Sequence, residues 1–256
     1  MESHLSSHPS PLRITRIVLA LAVLIGIGFS IRYNLELSRL RETHAELREQ
    51  IGLLDVADPK KVVIAHVPLP DDAIPPGVEH AHVWRYRIHI PANYGPSYKI
   101  QRGLIKADSP QGRGGSGSSW SSPQNNSEEA LASMALIKSD GRWIFCRSTG
   151  GGSSTSSMPN DFDFDSLDDL VIETAISPDD KTSIFETDEA ICLIRLREKS
   201  LAKKRNGKNE EGLYRGFSVY LYGAKHRDAF EAWSEGETTS MQGTPMNGTP
   251  LQGATR

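Results

Sequence analysis

The chain has 256 residues, a formal net charge of −3 at pH 7 and a hydrophobic content of 38%. This length allows one sizeable domain, or one modest domain with appendages. The small net charge excludes the overall basic character that is typical of nucleic-acid-binding proteins. The two cysteines allow at most one disulfide, and they are too few for a zinc site built from cysteines.

An apolar run near the N-terminus, IVLALAVLIGIGFSI at residues 17–31, lies between Arg16 and Arg32. A bilayer core of about 30 Å needs about 20 apolar helical residues, and the flanking arginines can reach the membrane interface. The sequence therefore predicts a polar tail at 1–13 and a transmembrane helix at 14–32. The alternative is a signal peptide cleaved after Ser30, which would release a secreted domain.

The membrane orientation follows from the short tail ahead of the apolar run. Such a tail usually stays in the cytoplasm, so we expect a single-pass protein of the cell membrane whose C-terminal domain is extracytoplasmic. The count of lysine and arginine on the two sides does not favour this orientation, because Arg32, Arg39, Arg41 and Arg48 follow the run.

Residues 33–57 carry apolar positions spaced alternately by four and three residues, which predicts a stalk helix that pairs as a parallel coiled coil. In such a homodimer Glu36 of one helix faces Arg41 of the other. Asp58-Pro59 ends the helix, because proline lacks an N–H. The alternative is an amphipathic helix packed on its own domain. The predicted seam consists of Tyr33, Leu37, Leu40, His44, Leu47, Ile51 and Leu54.

Residues 60–233 change to a period of two, with short runs separated by turn residues. In HAHVWRYRIHI, residues 80–90, the even positions from His82 to Ile90 are mostly aromatic or β-branched, which indicates an amphipathic strand. We therefore expect a mainly β fold, an antiparallel β-sandwich or partial barrel. Gly/Ser-rich stretches at 111–127 and 150–157 predict flexible loops.

The C-terminal residues 234–256 contain MQGTP, MNGTP and LQGAT, three related pentapeptides. They have almost no charge after Glu237, and three such short units cannot form a solenoid. The composition predicts a disordered tail.

The residues that could carry chemistry do not form a complete motif. His66, His80, His82 and His89 suggest a metal site, but no carboxylate or thiol lies at a fixed spacing to complete it. Asp161, Asp163 and Asp165 alternate as in a calcium loop, which here lacks its glycine and its final glutamate. The basic cluster at 199–208 is flanked by glutamates, which favours a solvated loop. We therefore expect no catalytic residue, no metal and no cofactor.

Cys146 and Cys192 lie on separate predicted strands. Cys192 shares its strand parity with Ala190, Ile194 and Leu196, so we expect its side chain to face the core. A Cys146–Cys192 disulfide is compatible with an extracytoplasmic domain, and otherwise both residues are small buried hydrophobes.

The segment HVWRYRIHIP, followed by YKI at 98–100, comes after the predicted span and stalk. In this arrangement the first hundred residues resemble bacterial single-pass membrane proteins of planctomycete type, with a stalk helix and a β-rich domain. The resemblance implies an architecture and no activity.

Together these features predict a membrane-anchored, non-enzymatic protein of the cell envelope with a structural or protein-interaction role. The expected partners are the lipid bilayer, a second copy through residues 33–54 and an envelope protein, with no nucleic acid. The alternative is an anchored or secreted enzyme, or a domain that binds a metal or another ligand.

We predict that the full chain with a C-terminal tag fractionates with membranes, resists carbonate extraction and keeps its full intact mass, because the apolar run stays in the bilayer. Cell fractionation and intact mass spectrometry measure both properties. A soluble species whose mass begins at Ile31 would contradict the anchor and favour a secreted domain.

Overall fold

The computed structural model divides the chain into two units, Met1–Ile51 and Gly52–Arg256, which we describe separately. In the first unit, residues 32, 33, 35–40 and 43 are helical. Among the residues that the structure describes, no helix is both long and apolar enough to cross a membrane. The described residues are 32, 33, 35–40, 43, 54, 56–69, 80–149, 152–158, 170–176, 182–202, 212–237, 241, 243, 244 and 247–250.

The structure describes only part of the predicted span and stalk. Arg32 is helical and exposed, while Arg16 and the rest of the apolar run lie outside the described residues. Tyr33, Leu37 and Leu40 are helical and exposed, and the seam positions at 44, 47 and 51 lie outside the described residues. The parallel dimer therefore stays a prediction.

Leu54 does not lie on a helical seam as predicted. It is not helical, and it is buried in a small cluster with Val63 and Ala65, against which Val56 packs. Burying this leucine on a sheet removes apolar surface from water without a second helix. The predicted stalk at 33–57 is therefore too long at its C-terminal end.

The described part of the second unit is mainly strand, as the alternating sequence predicts. One helix, α1, follows the last long strand at Arg227–Glu235. The strands are Val62–His66 (β1), His80–Ile90 (β2), Pro96–Lys106 (β3), Gly112–Trp120 (β4), Glu128–Ser139 (β5), Arg142–Thr149 (β6), Gly152–Ser157 (β7), Leu170–Thr174 (β8), Ser183–Phe185 (β9), Ile191–Glu198 (β10), Leu213–Gly223 (β11) and Asn247–Pro250 (β12).

These strands form two antiparallel sheets that share one apolar core. The first sheet has the order β7-β6-β5-β2-β1-β9, and the second has the order β12-β8-β10-β11-β3-β4. Trp84 and Phe145 of the first sheet pack against Phe217 of the second, with ring centroids 6.2 and 4.9 Å apart. The predicted alternation of β2 is confirmed for Trp84, Tyr86, Ile88 and Ile90, which all lie in this core.

A second apolar cluster covers the other face of the second sheet. Helix α1 buries Phe230 against Tyr222, whose ring stacks on it with centroids 4.1 Å apart. Trp233 packs at the border of the same cluster. The helix ends at Gly236, whose φ of 91° is the left-handed conformation that glycine adopts readily at this position. The sequence analysis did not predict this helix, which is only nine residues long.

The two Gly/Ser-rich stretches are largely strands rather than the predicted loops. Gly112–Trp120 is β4, which pairs with β3, and Gly152–Ser157 is β7, which pairs with β6. Backbone pairing needs no side chain, so a long neighbouring strand can hold a segment whose own strand propensity is low. The prediction considered composition alone and therefore missed these pairings.

The C-terminal tail is also partly ordered by pairing. Gly243 forms a bridge with Ala190, and β12 pairs with β8 over four residues. Met241 is buried in the second cluster. The prediction of a disordered tail at 234–256 is therefore wrong for these residues. Backbone groups of the second sheet form the hydrogen bonds that order them.

Strand β10 contains one extra residue relative to its neighbour β11. Cys192 pairs with Tyr220 and Ile194 pairs with Val219, so Leu193 forms a β-bulge. Leu193 and Ile194 both face the shared core, whereas Cys192 belongs to the second cluster. The prediction that Cys192 is buried on the same face as Ala190 is confirmed. Its predicted shared face with Ile194 and Leu196 is wrong, because the bulge reverses the alternation between them.

The carbonyl of Leu193 accepts two side-chain hydrogen bonds. Thr174 Oγ1 donates to it at 2.7 Å from the neighbouring strand. Tyr86 donates its hydroxyl at 3.3 Å from the opposite sheet, through the core. These bonds satisfy a buried acceptor at the bulge and join the two sheets at this point.

We predict that Tyr86→Phe lowers the free energy of unfolding by about 1 kcal/mol and Thr174→Val by about 1–2 kcal/mol. Each substitution removes one of the two side-chain hydrogen bonds to the Leu193 carbonyl and keeps the other. The double variant should lose more than the sum, because the buried carbonyl then loses both donors. Guanidinium unfolding of the full chain in mild detergent measures this.

Tyr94→Phe is the matched control for this prediction. It removes a buried hydroxyl that has no hydrogen-bond partner among the described residues, so it should cost nothing. Additive losses in the double variant would contradict the role of the two donors.

Candidate functional site

A buried ion network lies on the face of the second sheet that carries α1. The Glu173 carboxylate on β8 accepts hydrogen bonds from two arginines of β10. Arg197 approaches Oε1 through Nε at 3.1 Å and Nη2 at 2.5 Å, and Arg195 approaches Oε2 through Nη1 at 3.3 Å. Two guanidinium groups therefore share one carboxylate, which leaves one positive charge in excess.

Arg195 is the more deeply buried of these arginines, with 2% of its surface exposed. Its guanidinium also donates to the Ala107 carbonyl and to the Tyr220 hydroxyl. Among the described residues its Nε–H has no hydrogen-bond partner. A buried cation with one free donor is costly unless a further acceptor reaches it.

Aromatic side chains form one side of this site. Tyr220 on β11 packs between the network and helix α1, with its ring centroid 5.6 Å from that of Phe230 and 6.1 Å from that of Trp233. Arg197 lies over the ring of Tyr214, 4.6 Å from its centroid. These contacts hold the guanidinium groups by cation–π attraction as well as by charge.

A cavity of about 340 Å³ opens beside Arg195, and we call it the Arg195 cavity. The residues lining it are Ala107, Asp108, Glu173, Cys192, Arg195, Tyr220, Trp233, Gly243 and Thr244. The backbone of Thr244 bonds to the Ala190 carbonyl at 3.2 Å, which holds the C-terminal segment in the wall. A Cβ at Gly243 would come within 2.7 Å of Trp233 Cη2, so the chain approaches the indole this closely only with glycine.

Burial keeps two ionisable groups of the cavity in their neutral forms at neutral pH. It raises the pKa of the Cys192 thiol to about 11, although Arg195 and Tyr220 partly oppose the shift. Burial also raises the pKa of Tyr220 well above its usual value. A neutral thiol is a poor nucleophile, and a neutral phenol is a hydrogen-bond donor rather than a base.

The structure separates the histidines that suggested a metal site. His66 is half-buried at the edge of the Tyr86 ring, and burial lowers its pKa. His82 stacks beside Trp84, and His89 contacts the Pro59 carbonyl through Nε2 at 3.3 Å. No group of three or more metal-ligating side chains occurs within the described ranges. The side chain of His80 and the acidic turn at 161–169 lie outside them.

The Cys146–Cys192 disulfide that the sequence allowed is not formed, and both residues are free thiols. Cys146 on β6 lies near Thr155 on β7, whose hydroxyl is 3.9 Å from its sulfur. Phe145 and Leu193, the neighbours of the two cysteines along their strands, face the shared core. The thiols therefore point away from that core on different sheets, and a disulfide requires Cα atoms within about 7 Å.

The two sheets have their longer edge strands at one common side. Strands β4 and β7 are the edge strands there, and Arg102 Nη1 of β3 reaches the Ser157 carbonyl of β7 at 3.3 Å. Their side chains are mostly exposed, and Arg113 is the one charged residue among them. At the other side the described edge strands, β9 and β12, have three and four residues.

Backbone pairing shows which groups of β4 remain open. Ser121 donates its N–H to the Pro96 carbonyl, and Lys106 donates to the Gln111 carbonyl, so the odd-numbered residues pair with β3. Because antiparallel pairs alternate, the N–H and carbonyl groups of Ser116 and Ser118 point away from β3, toward a side where no further strand pairs within the described ranges. Trp120 also occupies an even-numbered position of β4, and its side chain is 61% exposed. The Arg227 guanidinium lies 5.0 Å from the centroid of its ring.

Comparisons of the chain with protein-family models, with curated proteins and with solved structures found no match.

We predict that Glu173→Gln lowers the free energy of unfolding by about 3–5 kcal/mol, because it leaves Arg195 buried without its counter-charge. Chemical unfolding of the full chain in mild detergent measures the loss. Glu186→Gln is the matched control, since Glu186 forms an exposed pair with Lys61 at 2.5 Å and should leave the unfolding midpoint nearly unchanged. Equal effects of the two substitutions would contradict the structural role of the network.

Proposed function

We propose that this chain is a membrane-anchored, non-enzymatic protein of the cell envelope whose two-sheet domain binds an extended segment of another protein. The observation that carries the proposal is the edge of β4, which no other strand among the described residues covers, with β7 of the first sheet at the same side of the domain. The partner adds a strand to this edge, which is a common mode of peptide recognition.

The edge lacks the features that usually prevent strand addition. Proteins protect edge strands by keeping them short, by proline, by lysine or by a bulge. Strand β4 has nine residues, contains neither proline nor lysine, and keeps a continuous register with β3. Its glycines and serines let another backbone approach closely, and exposed Trp120 supplies an aromatic anchor of the kind that dominates binding energy.

The anchor rests on the sequence of residues 17–31 and their flanking arginines. A single helix holds the domain at the membrane surface and so limits its partners to other components of that surface. The predicted stalk seam adds a second copy as a further partner, so that two domains would present their β4 edges together.

The chemistry of the buried network supports a binding role over a catalytic one. Burial raises the pKa of Cys192 to about 11 and that of Tyr220 well above its usual value, so neither is poised to exchange a proton near neutrality. The Glu173 carboxylate is engaged by Arg195 and Arg197. These groups stabilise the second sheet.

We predict that a photo-reactive residue at position 118 crosslinks the full chain, in intact membranes, to a different protein. Ser116→Pro should abolish the adduct, because it removes an outward N–H without breaking a bond to β3. Ser116→Ala is the matched control, since it keeps the N–H and should retain the adduct. Mass spectrometry of the adducts identifies the partner.

Three outcomes would contradict the proposal. They are the absence of an adduct at position 118, an adduct that survives Ser116→Pro, and an adduct that contains only a second copy of this chain. Circular dichroism of both Ser116 variants confirms that each is folded before the comparison is made.

A further inference from the structure

We propose that the protein segment that pairs with β4 is acidic and carries carboxylates at alternate positions along its length. This inference rests on the proposed strand addition and adds the chemistry of the partner to it. The side chains that carry it are Arg102 of β3 and Arg147 of β6, each of which reaches from its own sheet to the other.

The four strands nearest this side of the domain carry only positive charge. Strands β3, β4, β6 and β7 contain no aspartate and no glutamate. Their charged residues are Lys99, Arg102, Lys106, Arg113, Arg142 and Arg147. Because the whole chain has a net charge of −3, this excess of positive charge is a local property of these strands.

Carboxylates of other elements offset only part of this charge. Glu231 of α1 pairs with Lys99 at 2.6 Å, and the charge of Glu128 on β5 acts on the hydroxyl of Tyr98. The ion pairs of the described residues include neither Arg102 nor Arg147. These two arginines therefore keep their charge available to a partner.

Arg102 occupies the gap between the two edge strands. Its Nη1 donates to the Ser157 carbonyl of β7 at 3.3 Å, and a Cβ at Gly115 of β4 would lie 3.4 Å from its Nη2. A strand added to β4 would run about 4.8 Å from Gly115. Paired residues point to the same face of a sheet, so the partner residue opposite Gly115 presents its side chain to this guanidinium.

Arg147 supplies a second positive charge along the same gap. Its guanidinium lies 5.8 Å from the ring centroid of Tyr98, and Tyr98 pairs with Ser119 of β4. Ser119 is four residues from Gly115, which is about 13 Å along a strand. A Cβ at Gly117, midway between them, would meet no atom within 4 Å. Acidic side chains opposite these three positions would therefore have both room and counter-charges.

The edge favours a peptide over other polyanions. The N–H and carbonyl groups of Ser116 and Ser118 point away from β3, and an extended peptide backbone offers the matching acceptors and donors. A partner strand would use these groups for affinity and its alternating carboxylates for selectivity.

The test uses the full chain in mild detergent and two fluorescent peptides of about nine residues, which match the length of β4. One alternates glutamate with threonine, and its neutral control has glutamine in place of glutamate. Fluorescence anisotropy should show the glutamate peptide bound about ten-fold more tightly at low salt. The ratio should shrink as the ionic strength rises, because salt screens exposed charges.

Arginine variants test the location of the charge. Arg102→Gln and Arg147→Gln should each weaken the glutamate peptide by about three-fold and leave the glutamine peptide unchanged. Arg142→Gln is the matched control, because Arg142 is an exposed arginine at the start of β6 and should affect neither peptide. Ser116→Pro should abolish the binding of both peptides, and circular dichroism confirms that each variant is folded.

The proposal is overturned if the two peptides bind equally, if the glutamate peptide does not bind, if its binding survives Ser116→Pro, or if Arg142→Gln weakens it as much as Arg102→Gln does. Equal binding that Ser116→Pro abolishes would contradict only the acidic partner and would support strand addition. If the glutamate peptide does not bind while position 118 still crosslinks to another protein, the acidic partner fails and the proposed function stands.

Discussion

The extra residue in strand β10 is the constraint on which the core and the buried network both depend. Without the bulge at Leu193, Cys192 and Arg195 would lie on opposite faces of the strand, since they are three residues apart. With it, Leu193 and Ile194 both enter the shared core, and Arg195 lies on the same face as Cys192. The cost of the irregularity is limited because Thr174 and Tyr86 hydrogen-bond the Leu193 carbonyl.

The two faces of the second sheet consequently bury different kinds of side chain. One face completes the apolar core with the first sheet, centred on Phe217. The other buries charge, with one carboxylate between two guanidinium groups and aromatic rings beside them. Buried ion pairs contribute little net stability compared with apolar packing, whereas removing one partner of such a pair is costly.

The edge strands at the two sides of the domain differ in length. The described edge strands at one side, β9 and β12, have three and four residues, whereas β4 and β7 have nine and six at the other. An interaction through backbone groups demands little of side-chain chemistry, which explains how Gly/Ser-rich segments can carry it. The buried network, by contrast, depends on a few charged and aromatic side chains.

Periodicity alone was enough to establish the mainly β character of the chain and the inward face of β2, because alternation along a strand is a local property. The apolar run at 17–31 and the heptad spacing after it are equally local, and they remain predictions about the membrane. Pairing partners were not accessible in this way. Strands β4, β7 and β12 form because a neighbouring backbone is available, and the bulge at Leu193 leaves no mark on the composition of β10. Only the tertiary structure could therefore place Glu173, Arg195, Tyr220 and Trp233 around one cavity, since residues 60 positions apart meet there through the order of the strands.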